Sequence, residues 1–229
     1  MKRRVTFIHT SSAVLEPLLR FYRSRAPDLE IINVLDDGIL YFFEQDSNAA
    51  ERRLSDLISQ VGTYYNPKLV VLTCSAVPRR MLASLRSQAE MPVLKIDEPM
   101  ARLAVNSGSK IGVLVTFAPA LETATQLLIE EGKAKGLKLD LMGKVVPDAY
   151  PALLGGDVET HDRLLLEAIQ EMETANADAV VLAQVSMARV LPKLQGRSSR
   201  PIFSSLETSL QAVREILDAR MTSGSPKRQ

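Results

Sequence analysis

The chain contains a single cysteine among its 229 residues, Cys74, and this is the side chain best suited to acid–base or nucleophilic chemistry. It follows the apolar run Leu69–Thr73, which is typical of a strand that is covered on both faces. We expect a helix to begin directly after it, and the free N–H groups at a helix N-terminus favour a thiolate. This position therefore predicts a lowered pKa and a reactive thiol. The alternative is that a lone cysteine serves as a small buried apolar residue.

Composition excludes several other classes of site and protein. One cysteine rules out an intrachain disulfide, and two histidines, His9 and His161, are too few for a structural zinc site. The chain has 28 Lys and Arg against 27 Asp and Glu, which gives no electrostatic footprint for nucleic acid or an anionic membrane. No apolar run approaches the roughly 18 residues of a membrane span. The basic residues at the start precede an apolar stretch that His9 interrupts, so we expect a cytoplasmic protein without a secretory signal.

Strand-like apolar runs alternate with amphipathic helical stretches along the whole chain. The predicted strands are Val5–Ile8, Leu29–Leu35, Leu69–Thr73, Pro92–Ile96, Ile111–Val115, Leu137–Leu141, Val180–Ala183 and Pro201–Ser204. The clearest predicted helices are Arg52–Tyr64, Asp157–Ala175 and Leu206–Met221. This alternation predicts an α/β fold whose mainly parallel sheets are connected by helices.

The second half of the chain repeats the first. The matches at a nearly constant offset are Thr10, Leu15, Glu16, Pro92 and Glu98 with Thr116, Leu121, Glu122, Pro201 and Glu207. Any parallel sheet has similar apolar strands, but Thr, Pro and Glu matches are harder to obtain by chance. The repeat predicts two similar Rossmann-like (flavodoxin-like) lobes, 1–105 and 106–229, related by pseudo-twofold symmetry. We expect the helix at about 206–221 to pack back on the first lobe, and 222–229 to be a frayed tail.

The residues that follow the strands predict a ligand site between the lobes. Ligands of open parallel sheets bind at the carboxyl ends of the strands, so two facing lobes would share one cleft. The substrate-binding candidates there are Thr10, Ser11, Thr73, Ser75, Thr116, Phe117 and Ser186. Hydroxyl groups and exposed backbone N–H groups suit a carboxylate. The sequence therefore predicts a site for a small carboxylic acid.

Three further side chains are weaker candidates. His9 follows the first strand and is placed to orient a substrate or supply a second proton, although an edge or capping histidine is an equal alternative. Asp36 stands in an Asp-Asp-Gly segment that is either part of the site or only a turn. His161 lies in the first turns of the helix that Asp157 begins, where packing or capping is favoured over a role in the site.

Six segments carry a resemblance to a known group of proteins, and the resemblance covers nearly the whole chain. They are Thr73–Ser75 after a central strand, Pro92–Met100, Ile111–Glu122, Gly156–Asp157, His161–Asp162 and Leu182–Ala188. In these segments the chain resembles the aspartate/glutamate/hydantoin racemase superfamily, whose relatives include arylmalonate decarboxylase and maleate isomerase. The resemblance implies chemistry at the carbon α to a carboxylate, performed by cysteine thiols without a cofactor or a metal. It also implies a small carboxylic-acid substrate, two facing lobes and a homodimer.

One departure from that resemblance bears on the reaction. Racemases of the superfamily use two cysteines, one from each lobe, whereas the internal repeat aligns Cys74 with Gln184. A carboxamide has no useful pKa for proton transfer, but it can donate a hydrogen bond to an oxyanion. We therefore assign Cys74 and Gln184 to catalysis and favour decarboxylation or isomerisation by one thiol over racemisation by two.

Three alternative functions remain at this point. The first is a protein that binds or senses a small carboxylate and has lost catalysis together with the second thiol. The second is an amino-acid or hydantoin racemase whose second base is not a cysteine. The third is a nucleotide-dependent α/β protein, which is disfavoured because no Gly-x-Gly-x-x-Gly or Walker loop follows a predicted strand.

Overall fold

The computed structural model describes residues 3–223, which form two four-stranded parallel sheets flanked by helices. The first sheet contains β1 (Arg3–His9), β2 (Leu29–Leu35), β3 (Leu69–Leu72) and β4 (Val93–Lys95). The second contains β5 (Lys110–Val115), β6 (Asp140–Val145), β7 (Ala179–Leu182) and β8 (Ile202–Ser204). The orders β2-β1-β3-β4 and β6-β5-β7-β8 are the same, which confirms the predicted α/β fold with two similar lobes.

Helices connect consecutive strands in both lobes. The first lobe contains α1 (Leu15–Arg25), α2 (Gly38–Gln45), α3 (Ser47–Tyr65), α4 (Arg79–Gln88) and α5 (Glu98–Ala104). The second contains α6 (Pro119–Ala134), α7 (Ala149–Leu154), α8 (Val158–Thr174), α9 (Leu191–Leu194) and α10 (Ser205–Ser223). Two short 3-10 helices, Ser12–Val14 and Val185–Val190, follow β1 and β7. Asp157 caps α8 as predicted, because its side chain accepts a hydrogen bond from the Thr160 backbone N–H.

The predicted strand Leu137–Leu141 is misplaced, because the observed strand β6 runs over Asp140–Val145. The end of α6 accounts for the shift. Gly136 adopts a left-handed conformation with φ of 70°, and the Leu137 N–H donates to the Gly132 carbonyl. The cap of α6 thus uses Leu137, and the strand begins only after this turn.

The last helix of each lobe packs on the core of the other lobe. In α5, Met100 and Ala104 belong to the same buried cluster as Val113 of the central strand β5. In α10, Val213 and Leu217 lie in the buried cluster built around β1. This reciprocal packing holds the carboxyl edges of the two sheets close to each other.

The boundary between 105 and 106 falls between α5 and β5 and stays a prediction, since apolar packing crosses it in both directions. The predicted frayed tail 222–229 begins too early, because α10 continues to Ser223, and residues 224–229 lie outside the described residues. Among the helices that the structure describes, none combines the length and apolar composition required to cross a bilayer.

The hydrogen bond between α1 and α10 gives a test of the packing between lobes. Ser209 donates to the Leu206 carbonyl, so the buried Tyr22 hydroxyl donates to Ser209 Oγ at 2.9 Å. We expect Tyr22→Phe to lower the free energy of unfolding by about 1 kcal/mol, and Ser209→Ala by about 1–3 kcal/mol, because the latter leaves a buried hydroxyl without its acceptor. Urea denaturation of both variants and of the double variant measures the coupling.

The double variant should lose less stability than the two single variants lose together, because both remove the same hydrogen bond. Tyr64→Phe is the matched control, since Tyr64 is 77% exposed at the end of α3. Fully additive losses would show that the two hydroxyls are not energetically coupled.

Candidate active site

A cavity of about 30 Å³ lies where the carboxyl edges of the two sheets meet. Eight of the predicted site residues line it: Thr10, Ser11, Thr73, Cys74 and Ser75 from the first lobe, and Phe117, Gln184 and Ser186 from the second. None of the described side chains that line it carries a formal charge at neutral pH. The cavity has little more than the room of one water molecule, so a small acid needs more space than this structure provides.

The surroundings of Cys74 correct the prediction of a lowered pKa. The residue does not lie at a helix N-terminus, because Ser75–Pro78 separate it from the start of α4 at Arg79. Cys74 is only 5% exposed, and this burial raises the pKa of its thiol. Hydrogen bonds from the Thr10 side chain and the Ala76 backbone favour the thiolate but only partly offset the burial. At neutral pH, Cys74 therefore carries its proton.

A buried ion pair lies behind this thiol and was not found from the sequence. Lys95 Nζ is 3.0 Å from Asp97 Oδ2, and both residues are almost fully buried. Lys95 favours the thiolate of Cys74, whereas the negative charge of Asp97 opposes it. Because the two adjacent charges have opposite signs, their effects on the pKa of Cys74 act in opposite directions.

His9 does not line the cavity but holds a residue that does. Its ring is fully buried, and this burial lowers the pKa of His9 so that the ring is neutral at neutral pH. Its Nε2–H donates to Asn33 Oδ1 at 2.9 Å, and its Nδ1 lies 2.9 Å from the Thr73 hydroxyl, which is also 3.2 Å from the Ile8 carbonyl oxygen. His9 thereby fixes the residue that precedes Cys74 in the chain.

Thr116 likewise acts through a neighbour. Its backbone N–H and its hydroxyl both donate to Gln184 Oε1, the hydroxyl at 3.0 Å. This fixes the orientation of the carboxamide, since the oxygen is occupied by two donors. The Gln184 Nε2 group makes no hydrogen bond within the described part of the chain, so its two N–H groups are free to donate to a ligand in the cavity.

Five lining residues were not predicted from the sequence: Val14, Leu40, Ala76, Tyr150 and Val185. Tyr150 is the one with evident chemistry. Its hydroxyl lies 2.8 Å from Ser11 Oγ, a hydrogen bond that joins α7 of the second lobe to the first lobe. The internal repeat contained a signal for it, because Leu40 and Tyr150 are related by the same offset as Cys74 and Gln184.

His161 lies outside the cavity lining, in a polar cluster of the second lobe. Its Nδ1 is 2.7 Å from Asp162 Oδ1, which also accepts from Arg189 Nε at 2.8 Å, and Lys193 Nζ is 2.6 Å from Asp162 Oδ2. Burial acts to raise the pKa of Asp162, but the interactions with Lys193, His161 and Arg189 outweigh it and hold the pKa below its ordinary value. The cluster thus anchors the 3-10 helix that follows Gln184 to α8.

Asp36 also lies outside the cavity lining, and its carboxylate pairs with Arg53 Nε of α3 at 2.6 Å.

Across residues 3–223, His, Cys, Asp and Glu side chains form no group of three or more that could hold a metal ion.

A larger cavity of about 520 Å³ lies beside the first, between α4 and α6, and Ala76 lines both. Several of the charged groups around it are paired. Arg86 makes two hydrogen bonds to the Glu98 carboxylate, and Arg79 Nη1 is 2.6 Å from Glu130 Oε2. Cys74 lines the smaller cavity and not the larger one.

Comparisons with known proteins agree with this architecture. The family model described as Asp/Glu/hydantoin racemase matches residues 5–213. A glutamate racemase of Bartonella henselae is 30% identical over 114 residues, which are 49% of this chain and 42% of that relative. The chain therefore aligns with less than half the length of this curated relative.

Solved structures show the same fold at lower identity. A glutamate racemase isoform from Bacillus anthracis superposes with a TM-score of 0.76 at 16% identity, covering 96% of this chain and 84% of that one. A glutamate racemase from Francisella tularensis in complex with D-glutamate gives a TM-score of 0.70 at 15% identity, covering 100% of this chain and 86% of the other.

The raised pKa of Cys74 predicts how the thiol reacts with iodoacetamide. Because only the thiolate is alkylated, the rate in the folded protein should still be rising at and beyond the ordinary thiol pKa of about 8.5, where an unperturbed thiol begins to level off. Intact mass reports the reaction cleanly, since the chain has no second cysteine. The same protein in urea is the control and should show its inflection near the ordinary value. An inflection at or below that value in the folded protein would contradict the effect of burial.

Proposed function

We propose that this chain, which belongs to the Asp/Glu/hydantoin racemase family, performs acid–base chemistry at the carbon α to the carboxylate of a small acid. Cys74 is the proton carrier, and no cofactor takes part. One observation carries the proposal: a buried thiol from one lobe and a free carboxamide donor from the other line the same cavity. A site built for a bound but unreacted acid would have no need of the thiol.

Neutral donors bind the substrate carboxylate in this proposal. The hydroxyl groups of Thr10, Ser75 and Ser186 line the cavity, and no cationic side chain does so in the part of the chain described. The carboxamide of Gln184 adds two N–H donors whose direction Thr116 fixes. Donors held in place before the reaction stabilise the negative charge of an enediolate without reorganisation, which is how oxyanion sites lower a barrier.

Because Cys74 is protonated, it suits a reaction in which its first role is to donate a proton. In decarboxylation the bond between the α carbon and the departing carboxylate breaks, CO₂ leaves, and the electron pair forms an enediolate. The Cys74 thiol then gives its proton to the α carbon and regains one from solvent. Isomerisation by addition of the thiolate to an activated double bond uses the same residue. The carboxamide of Gln184, on the second lobe, can neither remove nor return a proton at the α carbon. Both reactions are therefore favoured over racemisation by two thiols.

Movement of the lobes is part of the proposed cycle. The cavity is too small for any acid of this class, and the Ser11–Tyr150 hydrogen bond joins the lobes over it. Breaking that bond admits the substrate, and closure excludes water. Exclusion of water strengthens the hydrogen bonds from Gln184 and protects the enediolate from stray proton sources.

Replacement of the thiol tests the proposal. We expect wild-type protein to act on at least one acid of a panel comprising glutamate, aspartate, phenylmalonate and maleate. Cys74→Ser should reduce decarboxylation, isomerisation or inversion by about 10²–10⁴-fold, because a serine hydroxyl is a much weaker acid than a thiol and does not act as the proton carrier near neutral pH. Proton NMR in D₂O detects α-hydrogen exchange, decarboxylation and isomerisation in one experiment. Binding of an acid with no turnover by the wild type would instead support a carboxylate-binding protein.

The role of Gln184 gives a second test. Gln184→Glu keeps an oxygen that accepts from Thr116 but replaces the two N–H donors with a negative charge. We expect turnover to fall by about 10²–10³-fold, the usual effect of losing an oxyanion donor, while the folded state is retained. Gln60→Glu is the matched control, since Gln60 is exposed on α3. Unchanged turnover in Gln184→Glu would remove Gln184 from the mechanism.

A further inference from the structure

We infer that Tyr150 is the second proton-transferring group of the site and acts on the face of the substrate opposite Cys74. The inference rests on the proposed function, because it concerns the same enediolate. Of all the side chains described as lining the cavity, only Cys74 and Tyr150 are of the types that serve as general acids or bases. One comes from the first lobe and the other from the second.

The pseudo-twofold repeat explains how the second group came to stand on α7. Cys74 after β3 aligns with Gln184 after β7, so the second lobe offers no acid at the strand end. By the same offset, Leu40 on α2 aligns with Tyr150 on α7, and both line the cavity. In the first lobe the residue able to transfer a proton is Cys74, which follows the strand β3. In the second lobe it is Tyr150, which lies on the helix α7.

The hydrogen bonds of Tyr150 suit a group that alternates between phenol and phenolate. Its hydroxyl lies 2.8 Å from Ser11 Oγ, and Ser11 Oγ also accepts from the Ala13 backbone N–H at 3.2 Å. The serine hydroxyl can accept from the phenol, and after rotation it can donate to the phenolate. Both protonation states of Tyr150 therefore have a partner in the closed site.

The proton balance of the reaction is simple. Cys74 first gives its proton to solvent as the substrate enters. The resulting thiolate takes the α proton, so an S–H bond forms as the C–H bond breaks and the electron pair enters the enediolate. Tyr150 then gives its phenolic proton to the opposite face, so its O–H bond breaks as the new C–H bond forms. The pair has exchanged one proton through the substrate, and its single negative charge has moved from sulfur to oxygen. The opposite enantiomer runs the same steps in reverse.

The test follows each enantiomer of glutamate and of aspartate separately in D₂O. Proton NMR measures exchange of the α hydrogen, and chiral chromatography measures inversion. The proteins are wild type, Tyr150→Phe, Cys74→Ser and the control Tyr64→Phe, whose tyrosine is 77% exposed. Phenylmalonate and maleate are included as substrates that need no second group.

The inference predicts opposite defects in the two site variants. Wild type and Tyr64→Phe should invert both enantiomers of one acid, and Tyr150→Phe should slow inversion at least about 100-fold. Tyr150→Phe should still exchange, with retention, the α hydrogen of the enantiomer that faces Cys74. Cys74→Ser should retain exchange of the other enantiomer only.

Three results would overturn the inference. Unchanged inversion in Tyr150→Phe would do so, and so would an equal loss of exchange for both enantiomers, which indicates an oxyanion donor or a structural contact. A wild type that converts phenylmalonate or maleate but inverts neither amino acid would leave the proposed function standing without a second-face donor. A wild type that converts none of these acids would refute the proposed function itself.

Discussion

The exchange of terminal helices between the lobes is the contact on which the site depends. Parallel strands end at one edge of each sheet, and α5 and α10 pack each lobe on its partner so that these edges meet. The reactive thiol of the first lobe and the carboxamide of the second therefore share a cavity, although more than a hundred residues separate Cys74 and Gln184 in the chain. In the proposed function, a ligand held there contacts both lobes.

Buried polar contacts fix the side chains at this junction. His9 holds Thr73 beside the thiol, Thr116 holds the oxygen of Gln184, and the carboxylate of Asp162 ties the following 3-10 helix to α8. A hydrogen bond made in the interior is costly to break, so these groups keep their geometry before a substrate arrives. The lining itself is uncharged, which suits a site that creates and removes one negative charge on the substrate.

The sequence predicted the fold better than the site. Continuous apolar runs located all the strands except β6, whose start was hidden because the cap of α6 uses Leu137. Strand-end positions correctly brought Cys74 and Gln184 together, since that follows from parallel topology alone. The pKa of the thiol was predicted in the wrong direction, because burial and the length of a loop are properties of packing. Tyr150 was missed because a tyrosine on a short helix has no local signal, and only the repeat relates it to Leu40.

The central claim is that Cys74 stands in an interlobe cavity that binds a small carboxylic acid. The most direct test is the rate of Cys74 alkylation at alkaline pH, measured by intact mass with and without each of a series of mono- and dicarboxylic acids. We expect one acid to slow alkylation in a saturable manner and the others to have no effect. Alkylation that no acid alters in the folded protein would show that the thiol is a packed structural residue, and would contradict the account.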